Sequence, residues 1–200
     1  MTARSRMALS YGIMLMIAGL AGCAVNHVGA ATPQNASHPG TPAIIAPGVS
    51  RPRDIKIDSV PPCELFTPGN RQEFKNDRPF REEKHRFFKY PVCDFHSRAE
   101  KVTVAIDMVV DRDMSAFAPG KVAGHARLVQ VLGFPAYEGY SDAKPGNLGC
   151  SVDIGVVQGQ VLSIQVLEQG RYENPLTQEE VCRRAMRGAE LALGNLLARG

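Results

Sequence analysis

Residues 101–110 read as one strand: Val102, Val104, Ile106, Met108 and Val110 recur at every second position and share one face, the expected core face. Asp111-Arg112-Asp113 ends it as a polar turn, since no ladder of further oxygen ligands follows to make a calcium loop. Residues 89–96 predict another strand, with Tyr90, Val92 and Phe95 partly buried. Residues 127–131 and 136–140 predict two more, joined through Gly133-Phe134-Pro135; Gly124, Val129 and Val131 weaken the rival reading of a helix over 121–130. Residues 150–157 and 161–167 predict a hairpin. Setting Val152, Ile154 and Val156 opposite Val166, Ile164 and Leu162 puts all six on the core face and leaves Gln158-Gly159-Gln160 as the loop. A two-residue loop would bring Ser163 and Gln165 opposite the buried positions, and is rejected on that ground.

Two helices flank these strands. Thr67 is placed to cap a short one that starts at Pro68, where a missing N–H costs nothing. The charged stretch 71–89 then alternates Glu73, Asp77, Glu82 and Glu83 with Arg and Lys, which predicts a solvated loop or irregular helix and not a binding patch. Near the C-terminus Thr177 and Glu180 form a capping box, Leu176 can staple against Val181, and Val181, Ala185, Ala189, Leu193 and Leu196 make one apolar stripe. Arg183, Arg184 and Arg187 lie off that stripe. The expected fold class is α+β: one antiparallel sheet of about five or six strands, its apolar face covered by the C-terminal helix.

The first residues follow a different pattern. Arg4 and Arg6 precede an uncharged, strongly apolar run over 8–21, which has the length of an export signal and is too short for a permanent membrane span. It closes on Leu20-Ala21-Gly22-Cys23, which resembles the lipobox of bacterial lipoproteins. That resemblance implies cleavage after residue 22, a lipid-modified Cys23 as the new N-terminus, and anchoring at the extracytoplasmic face of the cell membrane. Residues 23–53 are rich in Ala, Pro, Gly, Ser and Thr and read as a flexible tether, leaving 54–200 as a single domain.

With the signal removed, 23 basic residues less Arg4 and Arg6 leave 21 against 20 acidic, so nothing recruits nucleic acid. Of five cysteines, Cys23 is accounted for by lipidation. Cys63, Cys93, Cys150 and Cys182 form an even set in a compartment that permits disulfides. Three connectivities are open, and the sequential pairing is favoured, clipping the first helix to the first strand and the last helix to the sheet. No Cys-x-x-Cys occurs, which argues against a metal or redox site, and no cofactor is expected.

Several of these features together resemble the actinobacterial lipoproteins of domain of unknown function family 3558. Pro62-Cys63 with Leu65 and Thr67, Cys93 with Phe95, Gly133-Phe134-Pro135-Ala136, Gly149-Cys150, and Cys182 early in an Ala-rich helix carry the resemblance, with Pro61 where the family has Asp and Phe95 where it has Trp. It implies an envelope location and little chemistry. The chain is also similar to the cysteine-clipped extracellular sensor domains of some bacterial receptor kinases.

The favoured function is a non-enzymatic ligand- or partner-binding module, with Phe87, Phe88, Tyr137 and Tyr140 as candidate lining residues. The alternative is a structural or accessory protein that docks onto another envelope component through an exposed apolar patch. Its partners are then the membrane, and an envelope protein, a lipid or a small molecule. An enzyme is disfavoured: no Gly-x-Ser-x-Gly elbow or phosphate-binding glycine loop occurs, and no pattern joins His27, His38, His85, His96 or His125 to a nucleophile.

Overall fold

The computed structural model describes residues 50–199; the signal, Cys23 and most of the tether lie outside these residues. The described chain enters along Ile55, whose N–H donates to the Val156 carbonyl at 2.9 Å, and buries Ile57. A 3₁₀ turn at Pro62–Leu65 precedes the six-residue helix α1 (Pro68–Glu73), which has the expected Thr67 cap, with Asn70 completing a capping box.

Seven strands follow: β1 (Arg81–Lys84), β2 (Pro91–Ser97), β3 (Val102–Val109), β4 (His125–Val131), β5 (Phe134–Tyr140), β6 (Gly149–Val157) and β7 (Gln160–Glu168). They form one antiparallel sheet in the order β1-β2-β3-β7-β6-β5-β4. The expectation of five or six strands was one short. The additional strand is β1, inside the stretch taken for a solvated loop or irregular helix. All four of its side chains are exposed and all four are charged, so it carries no apolar alternation to announce it, and its charge suits an unpaired sheet edge.

The long helix α2 (Gln178–Leu197) lies across one face of the sheet. Thr177 and Glu180 make the expected reciprocal cap, and Val181, Ala185, Ala189, Leu193 and Leu196 are buried. They meet Val104, Ile106, Val152, Ile154 and Ile164 in the main core, with Phe66 and Phe95 closing one side. Gly188 belongs to this seam, because a Cβ there would stand 3.2 Å from Ile164.

Three details depart from the alternation argument. First, the opposite face is also largely covered, so that every residue of β3 is buried. The segment between β3 and β4, with a 3₁₀ turn at Met114–Phe117, folds over a second apolar cluster of Tyr90, Val92, Val109, Met114, Tyr137 and Val161. Asp113 holds it there, accepting from the Ser115 N–H at 3.0 Å and the Gly159 N–H at 3.3 Å. Val110, expected on the core face, lies beyond the strand and is exposed. Second, β5 begins at Phe134, and the turn before it is Leu132-Gly133, both with positive φ, as a two-residue turn between twisted strands requires. Third, the β6–β7 loop is the two residues Gln158-Gly159, and a bulge near Val156 absorbs one residue of β6. Val152 therefore faces Ile164 and Ile154 faces Leu162. The two-residue loop was rejected because an unbulged ladder would misalign the core; the bulge restores the alignment.

The cysteines pair sequentially. Cys63–Cys93 ties the 3₁₀ turn, not α1, to β2, and Cys150–Cys182 ties the start of β6 to the first turn of α2.

Candidate functional site

On the face turned away from α2, alternate positions of the central strands carry polar side chains. The register sets Asp107 of β3 against Ser163 of β7, and Ser163 against Asp153 of β6; Ala105, Gln165 and Ser151 form the neighbouring row. Asp153 accepts from the Ser163 hydroxyl at 2.6 Å and the Ser151 hydroxyl at 2.8 Å, and Gln165 donates to Asp107 at 2.7 Å. Asp94 lies on the same face of β2, opposite Ala105.

Both inner carboxylates resist ionisation. Burial, reinforced by the nearby charges of Asp94 and Asp153, pushes Asp107 up to about 7, against the partial relief of the Gln165 hydrogen bond. Burial pushes Asp153 up to about 6, opposed by its two serines. Burial raises Asp94 as well, while His96 draws it down. No salt bridge neutralises Asp107 or Asp153 among the described residues. Buried carboxylates with shifted proton affinity beside a cleft are a physical mark of a binding or reactive site.

The cleft has a volume of about 300 Å³. Asp153, Gln165 and Ser151 provide its polar groups, and Phe117, Tyr140 and Leu167 its apolar ones. Gly139 contributes to the same cleft; a Cβ there would press on the Ser151 hydroxyl at 3.3 Å, the group that binds Asp153. An apolar concavity with a few convergent polar groups is the usual form of a small-molecule site.

Two of the other concavities hold charges that are largely matched already. Between α1 and α2, Glu100 receives Lys75, Arg171 and Arg184, which hold its carboxyl down at about 2, and Arg187 is joined to Glu73. A larger groove of about 720 Å³ beside α2 is bordered by Arg127, bound to the buried Glu138 at 2.7 Å, and by Met186 and Tyr140. Glu138, Cys150 and Cys182 form a trio close enough to hold a metal ion, but the two sulfurs are bonded to each other and offer no thiolate.

The four aromatics expected to line a site are not gathered around one concavity. Phe87 and Phe88 occupy the β1–β2 connection, exposed. Tyr137 is buried in the second apolar cluster, and Tyr140, three residues on, borders both the open-face cleft and the groove beside α2. The cleft's own polar residues were missed. Their signal was present, as single polar positions inside strongly apolar strands, but alternation alone assigns such positions to solvent. The histidines form no catalytic array: His96 meets Thr103 at 2.8 Å, and His125 meets Asp142 at 3.1 Å with both exposed. Cys23, His27 and His38 lie outside the described residues. Among the described residues no helix is long and apolar enough to cross a membrane.

The fold and cleft define a disulfide-clipped α+β domain with a polar site on one face of its sheet. The chain belongs to the family described as a protein of unknown function, DUF3558, whose model matches residues 18–195. No curated protein and no solved structure matches it.

Proposed function

We propose that this protein is a non-enzymatic, actinobacterial cell-envelope lipoprotein whose domain binds a small ligand in the open-face cleft. Residues 1–22 direct export, and Cys23 carries a diacylglyceryl group that holds the protein at the extracytoplasmic face of the cell membrane. The basic start, the apolar run and Leu20-Ala21-Gly22-Cys23 support that location.

One observation carries the binding role: Asp153 is buried in the wall of the cleft without a cationic partner, and Asp107, equally buried, is tied to that wall through Gln165. Buried carboxylates without cations cost stability, and a chain that keeps such a cost at one place keeps it for use. The matching ligand brings a positive or proton-donating group to Asp153, and an apolar part to Phe117 and Leu167.

Native mass spectrometry of the protein from its host's membranes tests this. An added mass that leaves on denaturation is the expected result. A bare lipidated mass, four hydrogens light for two disulfides, counts against a retained ligand and favours the accessory docking role.

A further inference from the structure

The turn between β1 and β2 carries a feature that the cleft does not use. Its backbone is fixed: the His85 N–H donates to the Tyr90 carbonyl at 2.8 Å, and the Lys89 N–H donates to the His85 carbonyl at 2.9 Å. The His85 Nδ1 accepts from the Phe87 and Phe88 N–H groups at 3.3 and 3.2 Å. This holds two aromatic rings outward, Phe87 being 73% exposed and Phe88 47%.

Lys84, Arg86 and Lys89 flank these rings along the chain, Arg86 lying 5.5 Å from the centre of the Phe87 ring, and no acid lies between 84 and 89. None of the three enters a salt bridge among the described residues. Arg112 lies 3.9 Å from the centre of the Phe88 ring and is paired with Asp111, so it adds no net charge. Exposed aromatics flanked by unpaired cations match an anionic lipid interface, where rings sit at headgroup depth and cations meet phosphate. A convex tip of this kind encloses no small ligand.

The topology sets the direction. The start of β2, the end of β3, the β6–β7 turn and the β4–β5 turn all lie at one end of the antiparallel sheet. The described chain enters at that end: Ile55 bonds Val156, and Pro52 lies against Gly133. Leu132, at the β4–β5 turn on the far edge of the sheet at the same end, is another large apolar side chain left 52% exposed.

We infer that this end of the domain rests on an anionic phospholipid bilayer, with Phe87 and Phe88 in the interface. The inference rests on the reading of Cys23 as the lipid anchor, which lies N-terminal to the point where the described chain enters.

The chain contains no tryptophan, so Phe87→Trp places a single reporter at the tip and Tyr172→Trp places one beyond β7, at the opposite end. Each full-length variant, purified from host membranes, is reconstituted into vesicles of phosphatidylcholine with or without phosphatidylglycerol, containing bromine-labelled acyl chains. The expected result is blue-shifted, bromine-quenched emission from F87W with phosphatidylglycerol. Most of this is lost in high salt or with added K84Q and R86Q, and Y172W stays unquenched throughout. F87W emission that stays red and unquenched on protein that floats with the vesicles overturns the tip contact and leaves the anchor standing. Intact mass reports the anchor separately, and quenching of an unlipidated chain on anionic vesicles would support the tip while removing the anchor.

Discussion

Asp107 sits between Ile106 and Met108, and its backbone alternation is that of any half-exposed strand position. Its burial comes from outside β3, where the neighbouring Val92 and Tyr90 belong to the second apolar cluster on the same face. Its carboxyl is lifted from 3.8 to about 7, so between those values the folded state holds a proton that the unfolded chain releases. Stability must then fall as pH rises through this window, and Asp153, lifted to about 6, adds to the fall. Asp107→Asn removes the ionisation while keeping a partner for Gln165. It should stabilise the domain by roughly 2–4 kcal/mol at pH 8 and hardly at all at pH 4, read from denaturant midpoints across pH. A flat difference between the two proteins over that range would refute the burial of an uncompensated charge. At Leu132 the strain is in the backbone: φ is 47, in a turn that favours Asn or Gly. Leu132→Asn should raise stability by roughly 0.5–1 kcal/mol, seen as a higher melting temperature.

At the scale of elements, the helix caps, the alternation of β3 and the stripe on α2 were readable in the sequence, because each depends on contacts within a few residues. The failures have non-local causes. β1 depends on pairing with β2 and buries nothing, so its Arg-Glu-Glu-Lys sequence has no strand signature. The bulge near Val156 is set by the pull of two core registers against a two-residue turn, a compromise that no single strand encodes. The cleft was unreadable for the same reason, since its wall at Phe117 comes from a loop laid across strands distant in sequence. Where the local signals did succeed, their energetic weight can be checked. Thr177→Ala should cost about 1 kcal/mol, because it leaves the Glu180 N–H without its acceptor. Replacing Cys150 and Cys182 together by Ala should cost about 3–4 kcal/mol, from the freed loop between residues 32 apart. Urea unfolding checks both: an unchanged slope is expected for Thr177→Ala, and a steeper slope for the double cysteine replacement, whose unfolded chain is freed to expand.

As a whole molecule, the domain carries the two regions to which the proposals above assign binding roles. The cleft opens on the face of the sheet away from α2, and the aromatic, basic tip projects from the end where the described chain enters. Gly149, Ser151, Leu167 and Tyr140 of the cleft lie toward the opposite end of the sheet, so on these proposals a ligand held there stands away from the membrane surface. The most direct test of the binding claim compares native mass spectra of the wild type and Asp153→Asn, both isolated from host membranes. Asn keeps the shape, accepts from one of the two serines through Oδ1 and donates to the other through Nδ2, while removing the charge. A non-covalent added mass on the wild type, absent from an equally folded variant, is the predicted result. An added mass that persists unchanged on the variant, or none on either protein, would contradict the assignment of the cleft as the ligand site.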